Sequence, residues 1–184
     1  MIQIPDKEGQ SPKEEVYFMA LAICKQFKHL VEHNRLSEMF FRKNRKPDET
    51  DWQYLLYTIA DTYKVSQKLD VSITREDNPG TGEIDFHFTR GSQANIVIEI
   101  KLSSNVNLLH GYRTQLAAYM KAERADSGVF LVILDKNNLE DVKNKLAEIQ
   151  KDMKENNEYI PEIIYVNGLR QPSASVSSYK DPTI

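Results

Sequence analysis

Apolar side chains recur at every third or fourth position near the start of the chain, which is the spacing of an amphipathic α-helix. The pattern predicts a helix from about Pro12 to Val31. Ser11 is a suitable N-cap, and a proline suits the first turn because the first backbone N–H groups have no intrahelical partner. Glu14 and Glu15 favour the positive end of the helix dipole. The first predicted element is therefore a helix with one buried face.

The same spacing predicts a second helix after Pro47. Asp48 and Thr50 are alternative N-caps, since the side chain of either can accept a hydrogen bond from a free backbone N–H group. Its buried stripe consists of four large apolar side chains, Trp52, Leu55, Leu56 and Ile59.

Three strands are predicted next, at about Asp70 to Thr74, Gly82 to Arg90 and Ala94 to Leu102. The turn-rich segment EDNPGTG separates the first pair and RGSQ separates the second. Short links between consecutive strands predict an antiparallel meander.

The remaining chain alternates between helix and strand patterns. A helix from about Val106 to Arg124 precedes the apolar run GVFLVIL, which is typical of a strand buried on both faces. An amphipathic helix over NLEDVKNKLAEIQKDMKEN and a last strand at Ile163 to Val166 follow. The order of elements predicts an α/β domain with a mixed sheet flanked by helices.

A length of 184 residues with 40% hydrophobic positions favours one domain with a sizeable core. We assign residues 1–167 to this domain. Residues 168–184, GLRQPSASVSSYKDPTI, are polar and contain serine and proline, so we expect a tail or linker there.

The charge balance excludes a strongly basic protein. With 24 basic and 27 acidic residues the net charge is -3, so any site for a polyanion must be a local patch. The single Cys24 excludes an internal disulfide and any four-cysteine zinc or iron–sulphur site, which fits a reducing cytoplasm. No apolar run approaches the roughly 20 residues of a membrane span, and the N-terminus lacks the apolar segment of a signal peptide. A cytoplasmic protein without membrane insertion is expected.

Three charged side chains stand among the apolar residues of the second and third strands. Side chains alternate along a strand, so Asp85 lies on the face opposite Phe86. Glu99 and Lys101 share one face of the next strand, opposite Ile100. Buried charges are unfavourable unless they are paired or bind a ligand, so these three positions require a chemical explanation.

Hydrolysis of a phosphodiester supplies one explanation. It needs a divalent cation held by oxygen ligands, an activated water and a positive group near the developing charge. Asp85 and Glu99 can each supply a carboxylate oxygen, and the backbone carbonyl of Ile100 can supply a third ligand. Lys101 can orient the water, help to deprotonate it or offset phosphate charge. The alternative without a catalytic function is a structural ion pair on a polar strand face.

The pattern of Asp85 followed by Glu99-x-Lys101 resembles the PD-(D/E)xK nuclease superfamily. The superfamily's core, a helix, a three-strand meander, a helix and a strand, corresponds to the order from Glu49 to Leu134. The resemblance implies a restriction-endonuclease-like core (αβββαβ), with an added N-terminal helix and an added C-terminal helix and strand. It also implies that Asp85, Glu99 and Lys101 bind Mg²⁺ or Mn²⁺ and activate water.

The helix after the meander strengthens the resemblance. Gln115 and Tyr119 are similar to the Gln-x-x-x-Tyr element of the RecB-like branch, which implies that Gln115 organises the site or contacts substrate and that Tyr119 supports it. Both belong to a helical stripe that we expect to face the sheet: Leu108, Tyr112, Gln115, Tyr119 and Ala122.

The superfamily often places a further acid on the helix before the meander. Glu49 is nearest in position, and Asp51 is an alternative. Glu14 or Glu15 would take this role if the first helix supplied it. The chain departs from the family pattern in having no proline directly before Asp85, and its single cysteine excludes the iron–sulphur cluster of some RecB-like members.

The expected function is therefore a Mg²⁺- or Mn²⁺-dependent nuclease, with DNA as the expected substrate and RNA as the alternative. Substrate grip would come from a partner subunit, a homodimer or basic side chains of this chain, namely Arg42, Lys43, Arg45, Lys46 and Arg113. Two other functions stay open. One is a non-catalytic module that binds nucleic acid or protein as a subunit of a defence or repair complex. The other is an effector-like nuclease domain of a longer chain.

Overall fold

The computed structural model describes residues 9–41, 45–75 and 85–170. The helices are α1 (Pro12–Glu32), α2 (Glu49–Gln67), α3 (Leu108–His110), a π-helical turn (Gly111–Gln115), α4 (Leu116–Ala122) and α5 (Leu139–Glu155), with a 3-10 helix at Leu36–Phe40. The strands are β1 (Ser72–Arg75), β2 (Phe86–Arg90), β3 (Ala94–Leu102), β4 (Ser127–Leu134) and β5 (Glu162–Asn167). No helix in the described ranges has the length and apolar character that a membrane crossing requires.

Capping boxes fix where α1 and α2 begin. The predicted cap of α1, Ser11, is present. Asp48, not Thr50, caps α2: its side chain accepts the Asp51 N–H at 3.1 Å, and the Asp51 side chain accepts the Asp48 N–H at 2.9 Å. Such reciprocal bonds satisfy two donors that would otherwise be free. They hold the first residue of α2, Glu49, in a defined place.

The five strands form one mixed sheet in the order β1-β2-β3-β4-β5. β1, β2 and β3 pair antiparallel, which confirms the predicted meander. β3, β4 and β5 pair parallel, and each parallel connection contains helix, as parallel crossovers require. The carboxyl ends of β3, β4 and β5 therefore lie side by side at the same end of the strands.

Helices cover both faces of this sheet. Side chains of α1 and α2 form one apolar core with Phe86 and Ile98, and the helices after β3 form a second core with Val97 and Phe130. The run from Gly128 to Leu134 in β4 is buried throughout, as its continuous apolar sequence predicts.

Two predicted strand boundaries differ from the structure. β1 begins at Ser72 and not at Asp70. β2 begins at Phe86, and Asp85 lies in a bend directly before it; residues 82–84 of the predicted strand lie outside the described ranges. Asp85 is thus a strand-end residue, and its neighbours in space are set by the first pair of the β2–β3 ladder, Phe86 with Ile98.

The helix predicted over 106–124 begins at Leu108 and contains the π-helical turn. A π-helical turn holds more residues than an α-helical one, so later side chains rotate around the helix axis relative to a regular α-helix. Leu116 is consequently fully buried, Gln115 is only half-buried and Ala122 is exposed. The predicted stripe is therefore wrong at Ala122 and incomplete without Leu116.

The chain continues to pack on the domain just beyond β5. The Gly168 N–H donates to the Leu134 carbonyl oxygen at 3.0 Å. A Cβ atom at position 168 would lie 2.6 Å from Ile133 Cγ2 and 3.0 Å from Trp52 Cζ2, so only glycine fits there. Residues 171–184, which make up most of the predicted tail, lie outside the described ranges.

Candidate active site

Asp85 is held against β3 by the register of the meander. Phe86 pairs with Ile98, which brings the preceding Asp85 beside the next residues of β3. Its Oδ2 accepts the Ile100 N–H at 2.5 Å. The carboxylate of Asp85, directly before the first residue of β2, thus accepts a hydrogen bond from the main chain of β3. Asp85 is 8% exposed, so water contributes little to its solvation.

A second partner of Asp85 comes from α2. Gln53 Nε2 donates a hydrogen bond to Asp85 Oδ1. Sequence reasoning missed Gln53, although it follows Glu49 by four residues and therefore lies on the same side of the helix. The four-residue spacing from Glu49 is the feature of the sequence that could have identified Gln53 as a site residue.

Glu99 and Lys101 form a buried ion pair on β3. Their side chains point to the same face, and Lys101 Nζ lies 2.6 Å from Glu99 Oε1. Glu99 is 1% exposed, yet its second oxygen, Oε2, has no hydrogen-bond partner. A buried carboxylate oxygen without a partner is unfavourable, so this atom is available to a ligand.

Glu49 reaches the same cluster from the first turn of α2. Its Oε1 accepts the Leu102 N–H at 2.9 Å and the Asn105 side-chain amide at 2.7 Å. Its Oε2 lies 3.7 Å from Lys101 Nζ. The ammonium group of Lys101 therefore contacts carboxylates from two elements, β3 and α2.

The other candidates for the outer acid are engaged elsewhere. Asp51 belongs to the capping box of α2 and pairs with Arg45 at 2.9 Å. Glu14 belongs to the capping box of α1, and Glu15 pairs with Arg90. Of the four acids considered, only Glu49 contacts the residues of the cluster.

Gln115 borders the cluster from the π-helical turn. Its Oε1 is buried without a hydrogen-bond partner. A Cβ atom at Gly111 would lie 3.3 Å from both Gln115 Oε1 and Lys101 Cε, so both side chains approach the same stretch of backbone. Tyr119, one turn later, packs against the second apolar core. Of the two helix residues singled out from the sequence, Gln115 is therefore the one beside Lys101.

Burial dominates the electrostatics of the two carboxyl groups. It raises the pKa of Asp85 well above the usual value, and the charge of Glu99 raises it further, while Lys101 and the Ile100 N–H act in the opposite direction. Burial also raises the pKa of Glu99, although Lys101 opposes this change. Both acids therefore gain a proton more readily than ordinary carboxyl groups.

For the pKa of Lys101, neighbouring charges outweigh the effect of burial. Burial alone would lower its pKa, but the negative charges of Glu99, Asp85 and Glu49 outweigh that effect and raise the pKa above its usual value. Lys101 is consequently an ammonium ion at neutral pH. In this form it supplies positive charge and hydrogen-bond donors, and it cannot accept a proton from water.

The donor set suits a hydrated divalent cation. Among residues 9–41, 45–75 and 85–170, no group of three or more His, Cys, Asp or Glu side chains is arranged to hold a metal. Mg²⁺, however, keeps several waters and commonly uses one or two carboxylates. Glu99 Oε2 is unpaired, and each Asp85 oxygen retains a lone pair beyond its one hydrogen bond. These two carboxylates could hold such an ion, and the backbone carbonyl of Ile100, next to Glu99 in the chain, is a candidate third ligand.

Two of the five basic residues expected to grip a substrate make ion pairs within the described part of the chain. Arg113 pairs with Asp152 at 2.8 Å and with Glu158 at 3.0 Å, so its guanidinium is held by the C-terminal half of the chain. Arg45 pairs with acids at the start of α2. Arg42 and Lys43 lie outside the described residues. That these basic side chains grip a substrate stays a prediction, and Arg113 would have to exchange its carboxylate partners for phosphate to do so.

The fold and the cluster define a mixed α/β domain with a buried charged site at the end of an antiparallel meander. A family model described as a domain of unknown function, DUF8371, matches residues 16–137, and the chain belongs to this family. The matched segment extends from α1 to just beyond β4, so it contains all the site residues described above. No match was found among curated proteins or among solved structures.

Asp85→Asn should stabilise the metal-free protein at neutral pH by more than the control variant below, because burial raises the pKa of Asp85 and a neutral side chain avoids that cost. The substitution removes a buried charge and keeps an acceptor for the Ile100 N–H. Urea unfolding in the presence of EDTA measures the difference. Asp61→Asn, at an exposed position of α2, is the matched control and should change stability by less than about 0.5 kcal/mol.

The stability that Asp85→Asn gains over wild type should increase as pH rises. Between the ordinary and the raised pKa of Asp85 the folded protein binds more protons than the unfolded chain, so wild-type stability falls as pH rises through this interval. The advantage of Asp85→Asn should therefore grow with pH and disappear below the ordinary carboxyl range. A variant that is less stable than wild type at neutral pH would contradict the raised pKa.

Proposed function

We propose that this chain is a metal-dependent nuclease of the PD-(D/E)xK type that hydrolyses phosphodiester bonds in nucleic acid, with DNA as the preferred substrate. The observation that carries the proposal is the buried pair of Glu99 and Lys101, with Glu99 Oε2 left without a partner beside Asp85. An arrangement of this kind is unfavourable as a structural device and suits a site that binds a cation and a phosphate.

The order of elements supports the same assignment. Helix α2, the meander β1 to β3, the helical segment α3 to α4 and strand β4 follow the αβββαβ order of a restriction-endonuclease-like core. Under this proposal α1 is an N-terminal addition, and α5 with β5 is a C-terminal addition. The candidate acids and the lysine lie where the meander and the first core helix meet.

Asp85 and Glu99, with the Ile100 carbonyl, would hold Mg²⁺ or Mn²⁺. When bound, such a cation polarises a phosphoryl oxygen and lowers the pKa of its water. Asp85 is positioned for this role by two hydrogen bonds, from Gln53 and from the Ile100 N–H. Its carboxylate is therefore oriented before any ligand arrives.

Lys101 provides positive charge next to the proposed cation ligands. As an ammonium it can donate hydrogen bonds to the attacking water and to a non-bridging phosphate oxygen, where negative charge develops. Glu49 keeps the ammonium near β3 and ties the end of that strand to α2. The unpaired Oε1 of Gln115 can accept a hydrogen bond from the same water, which would fix its orientation.

The direct test is a cleavage assay on linear, circular and single-stranded DNA and on RNA, with Mg²⁺, with Mn²⁺ and with EDTA. Wild type should cut at least one substrate only with metal. Asp85→Asn, Glu99→Gln and Lys101→Met should each lower the rate by about a hundredfold or more, since each removes a group that binds metal or stabilises charge.

Asp61→Asn and Lys121→Ala, at exposed positions, are the matched controls and should retain the wild-type rate. Equal cleavage by the three site variants would mean that the activity does not come from this site. Binding without cleavage of any substrate would instead support the non-catalytic alternative.

Gly111→Ala should lower the cleavage rate without lowering the stability of the fold. Gly111 has a helical backbone, with φ of -55°, so alanine is compatible and favours the helix by up to about 1 kcal/mol. The added Cβ would press on Gln115 Oε1 and Lys101 Cε, each 3.3 Å away. Cleavage should fall about tenfold or more, because small misplacements of positioning groups reduce rate strongly.

The control is Ala117→Gly, at an exposed position of α4, which should reduce stability by up to about 1 kcal/mol without affecting the rate. Unfolding curves and cleavage rates are measured for both variants. An unchanged rate in a folded Gly111→Ala protein would refute a role for the contact among Gly111, Gln115 and Lys101.

A further inference from the structure

A cavity of about 520 Å³ lies at the outer edge of β5, the last strand of the sheet, between α1 and the start of α5. Four lysines line it and only one acid does. Lys25 and Lys28 come from α1, Lys136 from the segment after β4, and Lys143 from α5, with Glu32 as the acid. The lining thus carries a formal excess of three positive charges in a protein whose net charge is -3.

Most of this positive charge is not neutralised locally. Glu32 is engaged by Lys28, whose Nζ lies 2.8 Å from its Oε1. Lys143 makes one long, exposed pair with Glu140 at 3.6 Å. Lys25 and Lys136 have no ion-pair partner within the part of the chain that the structure describes. Three lysines are therefore available to an anionic ligand.

A second cavity, of about 490 Å³, shares one lining residue, Leu169, with the first. It is bordered by Arg45, Lys46 and Arg170, with Asp135 as its acid. Arg45 is held by the acids at the start of α2, and Arg170 lies 4.0 Å from Glu38 Oε2. The carboxylate of Asp135 is occupied by hydrogen bonds from two serines that follow β3. We call these two cavities together the basic groove.

The basic groove runs close to the candidate active site. In the sheet, Lys101 pairs with Val132, and Val132 pairs with Tyr165. Neighbouring strands are about 4.8 Å apart, so the backbone of Tyr165 lies roughly 10 Å from that of Lys101. Lys143 Nζ stands 5.9 Å from the centre of the Tyr165 ring. The two regions are therefore two strand spacings apart, with the buried side chain of Val132 between them.

The edge of β5 is closed to an added peptide strand. The Tyr165 carbonyl oxygen accepts a hydrogen bond from Lys28 Nζ at 2.5 Å, and the Asn167 N–H donates to Glu32 Oε1 at 2.7 Å. These are the main-chain groups that a pairing strand would use. An acidic peptide that extends the sheet is thus disfavoured, and a ligand that binds through charge alone is favoured.

We infer that the basic groove binds the phosphate backbone of the nucleic-acid substrate and guides it to the site at Lys101, an inference that rests on the proposed function. Lysines act on phosphates as point charges and carry no base-specific hydrogen-bonding pattern, so the grip is independent of sequence. The groove also explains how a chain with a net negative charge holds a polyanion.

The test measures binding of fluorescein-labelled duplex and single-stranded DNA by anisotropy at several salt concentrations. All proteins carry Asp85→Asn, and EDTA is present, so cleavage cannot interfere. The variant Lys25→Ala, Lys136→Ala and Lys143→Ala should bind at least tenfold more weakly at low salt. The slope of log K against log salt should become shallower by about two to three, since each lost phosphate contact contributes about 0.9 for duplex and 0.7 for single strands.

The matched control replaces three lysines outside the groove, Lys121, Lys151 and Lys154, by alanine. It makes the same change in net charge and should leave the slope unchanged. Equal weakening by the two triple variants would overturn the groove, because net charge alone would then explain binding. An unaltered slope in the groove variant, or binding of a polyglutamate peptide in preference to DNA, would overturn it as well.

Cleavage is scored separately from binding, with Asp85 restored. If wild type cuts no substrate but the groove variant loses DNA binding as predicted, the groove stands and the nuclease proposal fails. If wild type cuts DNA and the groove variant binds DNA as well as the control does, the nuclease proposal stands and the groove fails.

Discussion

The feature of the structure that most requires a physical explanation is the burial of the Glu99–Lys101 ion pair on a strand of the central sheet. Removing two charges from water is unfavourable by several kcal/mol, and their mutual attraction offsets this only if further polar contacts are present. Here Glu49 adds a contact to the lysine, but Glu99 Oε2 has none. A pair of apolar residues would be expected to serve stability at least as well. The charges are therefore best understood as parts of a site.

The fold brings this site together from three directions. The β2–β3 register sets Asp85 against the Ile100 N–H. The Asp48 capping box fixes the start of α2, which delivers Glu49 and, four residues later, Gln53. The π-helical turn then presents Gln115 beside Lys101. Each contact depends on a local feature of backbone geometry, so the arrangement exists before any ligand binds.

Hydrophobic periodicity was sufficient to predict the coarse fold. The bounds of α1, the meander, the doubly buried β4 and the amphipathic α5 all follow from the spacing of apolar residues, because burial on one or two faces imposes that spacing. Alternation along the strands also singled out Asp85, Glu99 and Lys101, because buried charges contrast with their apolar neighbours. Their spatial association depends on the pairing register, which the predicted meander did not specify and which the β2–β3 ladder shows.

Other details depend on contacts that a linear pattern does not contain. The π-helical turn shifts the stripe that regular helical spacing predicts, which moved Leu116 inward and Ala122 outward. The engagement of Arg113 by Asp152 and Glu158 joins residues far apart in the chain. The choice of Glu49 among four acids depends on where its competitors are engaged, in capping boxes for Asp51 and Glu14 and in an ion pair with Arg90 for Glu15. Such contacts are not visible in the linear sequence.

The central claim is that the buried carboxylates exist to bind a divalent cation, and crystals grown with Mn²⁺ test it most directly. Anomalous scattering should locate an ion within about 2.0–2.6 Å of one oxygen of Asp85 and one of Glu99. We also expect the ion to be lost from crystals of Glu99→Gln. A well-ordered site with no ion between these carboxylates at millimolar Mn²⁺, or with Lys101 Nζ bound to Glu99 Oε2 in its place, would contradict it.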